Sequence, residues 1–194
     1  MTQSAASRRV FLLSGLAAGA LAACSREPSA VAQDMPSTSA DHLSAPDWND
    51  PRIVPWGEEA EDYDLVSEAQ WRERLDEDVF DILRKEGTER AGTSPLNREH
   101  RRGVFVCAGC ALPLFHSHTK YDSRTGWPSF WAPIEGAVRT KADYRLWTPR
   151  TEYHCARCKG HQGHVFEDGP RPTGQRWCNN GLALNFVPHP SEAS

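Results

Sequence analysis

The sequence predicts an α+β domain, with short N-terminal helices packed on a twisted antiparallel β-sheet core that a cysteine site cross-links. Three observations carry that reading. A capping box and an apolar helical face occupy residues 67–83. From residue 103, short strand-type segments alternate with turn residues. Two Cys-x-x-Cys pairs lie with 44 residues between them. No βαβ alternation and no glycine-rich phosphate loop is present, which argues against a nucleotide fold.

The helical part comes first. In Ser67-Glu68-Ala69-Gln70 the Ser and Gln side chains each cover a backbone N–H that the helix leaves unpaired. Trp71, Leu75, Val79, Ile82 and Leu83 follow at spacings of three and four, one apolar face. Asp76-Glu77 is placed to cap a restart, which divides the segment into two short helices. Gly87, after Arg84-Lys85-Glu86, supplies a C-terminal stop with basic residues in the last turn. The expected strands are Val104–Val106, Ala137–Arg139, Tyr144–Trp147, Glu152–His154, His164–Phe166 and Leu182–Phe186.

Ahead of this domain the texture is different. Residues 1–23 read as an export signal: Arg8-Arg9, then an apolar stretch from Val10 to Ala23 that is short for a membrane span and ends in small residues. Ser7-Arg8-Arg9-Val10-Phe11-Leu12 resembles a twin-arginine signal, and Leu21-Ala22-Ala23-Cys24 a bacterial lipobox in which Cys24 becomes the lipidated first residue. The alternative is a plain secretory signal cut beside an incidental cysteine. Residues 24–63 form a Ser/Ala/Pro-rich tether, residues 64–188 the domain, and residues 189–194 a tail. The expected address is the bacterial periplasm, with the chain anchored through Cys24 and monomeric.

Composition narrows the function. The 194 residues carry a net charge of −4, and the mean hydropathy is −0.62. No apolar run reaches the roughly 18 residues of a spanning helix, so a multi-pass membrane protein is excluded, and the acidic balance argues against a nucleic-acid partner.

The cysteines are the most informative residues. Cys107-Ala108-Gly109-Cys110 and Cys155-Ala156-Arg157-Cys158 each follow a strand segment. Two thiolates on a tight turn bind half of a tetrahedral ion, and two such turns complete a four-sulfur shell, so one structural zinc ion is expected. Disulfides and a redox pair are the alternatives; twin-arginine export favours metal, because the chain folds before it leaves the reducing cytoplasm. Cys178 stands apart, in Gly174-Gln175-Arg176-Trp177-Cys178-Asn179-Asn180. In a strand, positions 176, 178 and 180 share a face, placing a cation, a thiol and an amide together; the cation would lower the thiol pKa. His161-Gln162-Gly163-His164 offers two imidazoles for acid–base work. A buried packing cysteine and a metal-binding or surface His pair remain open on spacing alone.

Longer motifs decide between these. His161 to Pro170 and Pro172 to Asn180 together resemble the C-terminal signature of the B-type methionine sulfoxide reductases. Gly126-Trp127-Pro128-Ser129-Phe130 resembles that family's central motif. Leu112-Pro113-Leu114-Phe115, Thr119-Lys120-Tyr121-Asp122-Ser123 and Gly87-Thr88-Glu89-Arg90 fit as well, in one order from about residue 64 to 188. The resemblance implies that Cys178 attacks the sulfoxide sulfur of oxidised methionine and becomes a sulfenic acid. His161, His164 and Asn180 would bind and protonate the sulfoxide oxygen, Trp127 and Phe130 would contact the substrate, and Arg176 would hold the thiolate. It also implies R-epimer specificity and peptide-bound methionine as substrate. Where many members carry a second, resolving cysteine, this chain has Thr125. A one-cysteine cycle is therefore expected, with Cys178 reduced by an external thiol or a thioredoxin-like protein. The rivals are a zinc-stapled binding module and a thiol peroxidase.

Overall fold

The computed structural model describes residues 52–53 and 61–192. The signal, Cys24 and most of the tether lie outside the described residues. Among the described residues two helices come first, α1 (Glu68–Arg74) and α2 (Glu77–Lys85), as the capping pattern and the restart predict. Ser67 Oγ accepts the Gln70 N–H at 3.3 Å and Gln70 Oε1 accepts the Ser67 N–H at 2.8 Å. Asp76 stands at the N-cap of α2 without a side-chain cap bond. The stop differs in detail: Glu86, not Gly87, takes the left-handed conformation (φ 55°). Gly87 serves by close approach, since a β-carbon there would press against the Asp81 carbonyl at 3.0 Å.

Nine strands follow among the described residues: β1 (Gly103–Cys107), β2 (Pro113–His116), β3 (Lys120–Tyr121), β4 (Ser129–Phe130), β5 (Val138–Asp143), β6 (Arg150–Cys155), β7 (His161–Phe166), β8 (Arg176–Asn179) and β9 (Leu184–Pro188). They form two antiparallel sheets, of order β2-β1-β9 and β3-β4-β8-β7-β6-β5. The expected strand at Tyr144–Trp147 is instead the loop between β5 and β6. Tyr144 and Trp147 are 76% and 102% exposed, so their alternation has no core to face. Leu182 and Ala183 belong to a single 3₁₀ turn ahead of β9.

The sheets meet through an aromatic core. Phe105 and Phe115 of the smaller sheet pack on Phe130 of the larger, with ring centroids 5.0 and 4.1 Å apart, and Tyr153 joins Phe115 at 6.1 Å and Trp177 at 5.0 Å. Offset and edge-on pairs of this kind add about 1 kcal/mol each beyond the area they bury. Ile53, within the stretch read as tether, is buried against Val104, Val106 and Val187.

One irregularity matters for the site. Tyr153 pairs with Gly163 but His154 pairs with His161, so β7 carries one extra residue, Gln162, at a bulge. Residues three apart on a regular strand point to opposite faces; the bulge resets the alternation and brings the His161 and His164 rings to 5.5 Å. Opposite lies Gly163, where a β-carbon would collide with the backbone of Cys178. We predict that Gly163→Ala destabilises the fold by about 3 kcal/mol, read as a lowered melting temperature; an unchanged melt would show that β7 and β8 do not meet this closely.

Candidate active site and metal centre

The four paired cysteines come together where the sheets adjoin. Cys107 ends β1 and Cys110 lies on the turn into β2; Cys155 ends β6 and Cys158 lies on the turn into β7. All four are buried, with their sulfurs within 4.8 Å of one another, 3.6 Å for Cys107–Cys158 and 3.5 Å for Cys110–Cys155. Four ligands at the usual 2.3 Å metal–sulfur distance lie about 3.8 Å apart in a tetrahedron, so the cluster fits one metal ion. Leu83 of α2 fills the space beside both turns that a β-carbon on Gly109 or Gly160 would need. Arg84 donates to the Cys158 carbonyl at 2.8 Å.

Cys178 sits on β8 with Ser129 of β4 on one side and His164 of β7 on the other, each its direct register partner. The three side chains therefore share a face. Cys178 and His164 open on a cavity of about 110 Å³ that Thr88, Trp127, Arg150, Phe166 and Asn180 also line, while Ser129 is fully buried beside the sulfur. A larger groove of about 620 Å³ lies between the helices and β9, but neither a thiol nor an imidazole lines it.

Each wall is held from behind. Trp127 Nε1 donates to the Glu89 carbonyl at 3.1 Å, fixing the indole at the cavity mouth. Asn180 Oδ1 accepts the Glu89 N–H at 3.1 Å and its Nδ2 donates to the Gln162 carbonyl at 3.1 Å. The Glu89 carboxylate accepts the N–H groups of Gly181 and Leu182 at 2.5 and 3.1 Å; burial raises its pKa against those bonds. His164 Nε2 lies 2.8 Å from Asp143 Oδ2, and Arg150 donates to the same oxygen at 2.6 Å. The Arg145 N–H, His164 and Arg150 hold the Asp143 carboxyl well below the usual range. Burial lowers the His164 pKa in spite of Asp143, so at neutral pH the ring is neutral. Facing a carboxylate, Nε2 carries the hydrogen, which leaves Nδ1 as the acceptor.

Burial pushes the Cys178 thiol up, against the opposing pull of Arg176 and of hydrogen bonds from Thr125, Ser129 and Arg176. Arg176 thus acts in the expected direction, but desolvation outweighs it and the resting sulfur keeps its proton. Arg176 is itself clamped, with Nε and Nη2 on the Asp168 carboxylate at 2.8 and 2.9 Å and its guanidinium 4.2 Å over the Phe166 ring. Ser123 Oγ joins Thr125 Oγ1 at 2.8 Å and Ser129 Oγ at 2.7 Å, completing a small hydroxyl cluster beside the sulfur.

Two expected site residues lie elsewhere. Phe130 pairs with Trp177 and not with Cys178, so the pleat turns it into the aromatic core, where it is fully buried. That corrects the expectation that it touches substrate. His161 is buried and does not line the cavity; its Nδ1 lies 2.9 Å from Glu152 Oε1 without hydrogen-bond geometry. Asp143, Arg150, Glu89, Gln162 and Glu152 were not singled out from the sequence. Glu89 and Gln162 lie inside matched motifs that assign them no role, and the other three are single polar residues that the strand pairing brings to the site.

A SelR domain profile matches residues 75–188. The chain belongs to the SelR family, the B-type peptide methionine sulfoxide reductases. It is 48% identical over 123 residues to the peptide methionine sulfoxide reductase MsrB of Agrobacterium fabrum and covers 91% of that protein. The MsrB of Thiobacillus denitrificans is likewise 48% identical, with 93% covered; each alignment takes in 63% of this chain. Chloroplastic reductase B1 of Arabidopsis thaliana is 47% identical over 66% of this chain, which spans 64% of that longer protein. A looser likeness links the chain to the solved Mis18 "Yippee-like" domain, with a TM-score of 0.36 at 19% identity over 45% of this chain and 96% of that one.

Because the raised thiol pKa opposes the Arg176 cation, alkylation of Cys178 by iodoacetamide is expected to rise with pH through a midpoint above the ordinary value of about 8.5. In Arg176→Ala that midpoint moves higher still, so alkylation at neutral pH slows. A midpoint that falls on removing Arg176 would contradict the assignment.

Proposed function

We propose that this chain reduces methionine R-sulfoxide in oxidised polypeptides by a one-thiol cycle at Cys178, around a structural zinc ion held by Cys107, Cys110, Cys155 and Cys158. The observation that carries the reading is the register itself: a thiol, a carboxylate-oriented imidazole and an indole wall converge on one small cavity. Trp127 receives the S-methyl group, as sulfur favours aromatic contacts. The Cys178 sulfur attacks the substrate sulfur. His164 Nδ1 takes the thiol proton and returns it to the sulfoxide oxygen, while Asp143 and Arg150 keep the ring oriented. The balance closes without solvent protons: a thiol and a sulfoxide become a sulfenic acid and methionine. Asn180 positions the sulfoxide and Arg176 steadies the charge that develops on sulfur.

The described cysteines other than Cys178 are buried in the metal cluster, and Thr125, where the family resemblance puts a second thiol, offers only a hydroxyl. An external thiol or a thioredoxin-like protein therefore forms a mixed disulfide with Cys178 and releases water, and a second thiol frees the enzyme. The Arg8-Arg9 motif and the Leu21–Cys24 lipobox support a periplasmic enzyme, lipid-anchored at Cys24 and working on exported proteins.

With a dithiol as reductant, the wild type is expected to consume the R epimer and leave the S epimer. Cys178→Ser should keep fold and one zinc per chain but lose turnover, while His164→Asn or Asp143→Asn should lower kcat about 10²-fold. Full turnover in Cys178→Ser, or faster turnover with peroxide than with either sulfoxide, would overturn the reading.

A further inference from the structure

The loop of residues 144–149 joins β5 to β6 and has one root residue at each end. Both roots belong to the site: Asp143 orients His164, and Arg150 lines the cavity. Beyond them Tyr144, Leu146 and Trp147 stand 76%, 55% and 102% exposed, three of the five most exposed large apolar side chains among the described residues. The loop is braced nonetheless. Asp143 Oδ1 accepts the Arg145 N–H at 2.9 Å, the Arg145 guanidinium pairs with the Glu86 carboxylate, and Lys141 pairs with that carboxylate at 2.6 Å. An apolar patch held out in water by specific contacts marks a surface that something else covers.

We infer that this loop is a docking surface for the polypeptide on either side of the oxidised methionine, and that it selects apolar flanking residues. The inference rests on the reductase reading of the cavity. It follows from continuity: a substrate whose sulfoxide enters between Trp127 and His164 leaves its backbone at the rim that Arg150 shares with the loop. A chain advances about 3.3 Å per residue when extended, so flanking residues reach past the rim within a few positions. Methionines are core residues, and the segments around them are apolar when unfolding brings them to the surface.

The test uses the full chain and three substrates of resolved R configuration: N-acetylmethionine sulfoxide, a peptide with Leu and Phe around the sulfoxide, and one with Gly and Ser there. Wild type should favour the apolar peptide through a lower KM. The triple variant Tyr144→Ser, Leu146→Ser, Trp147→Ser should raise that KM roughly tenfold, the size expected for losing a buried aromatic anchor. Its kcat, its turnover of N-acetylmethionine sulfoxide and its melting temperature should stay as in wild type. Retained preference for the apolar peptide in the variant would overturn the docking surface and leave the reductase standing. Vesicle binding lost in the variant, with unchanged peptide kinetics, would assign the loop to a bilayer instead. Failure of wild type on all three substrates would overturn the reductase reading and the docking surface with it.

Discussion

The four-cysteine cluster is the constraint on which the rest of the structure depends. Each Cys-x-x-Cys turn belongs to a different sheet, so the sulfurs tie together two ladders that otherwise meet through the aromatic core. Four buried sulfurs this close cannot all ionise without a cation between them, and a bound ion makes their convergence favourable. A link across so long an intervening chain also removes conformational freedom from the unfolded state. The tie reaches the chemistry by a short route. Gln162 Nε2 donates to Cys107 Sγ at 3.4 Å, its carbonyl holds Asn180, and Asn179 Nδ2 donates to its Oε1 at 3.3 Å. Gln162 is also the bulged residue that sets His161 and His164 side by side. One buried amide thus joins the cysteine cluster to the strand that carries Cys178.

The electrostatics of the cavity follow from burial opposed by a few placed groups. The thiol is desolvated and keeps its proton, the imidazole is desolvated and stays neutral, and the surrounding charges are satisfied by partners outside the cavity. Arg176 is spent on Asp168 and Arg150 on Asp143, so neither is a free cation competing for the substrate oxygen. A neutral thiol and a neutral imidazole suit the proposed neutral substrate: a sulfoxide would enter without displacing a bound ion, and charge would develop only as the sulfur attacked.

What the sequence made legible were features whose signal is local. The Ser67–Gln70 capping box, the restart at Asp76 and the two Cys-x-x-Cys turns each declare themselves within a few residues, and all are present. Cys178 and His164 were found because their motifs are contiguous. The Tyr144–Trp147 segment misled because alternation and bulky side chains look the same on a sheet and on an exposed loop. Phe130 misled because its role was carried over with its motif, and a motif match does not say which face of a two-residue strand a residue takes. The roles of Asp143, Glu89 and Gln162 carry no local signal, although the last two stand in matched motifs: each acts on a partner 18 to 92 residues away, and only the fold brings them there.

The central claim is that Cys178 alone carries the oxidation while the other described thiols serve the fold. A single turnover without reductant measures it directly. One equivalent of R-sulfoxide peptide should yield one methionine per chain, with a single oxygen added to the tryptic peptide that holds Cys178 and no disulfide formed. Loss of two thiols per turnover, or oxygen on any cysteine of the metal cluster, would contradict the account.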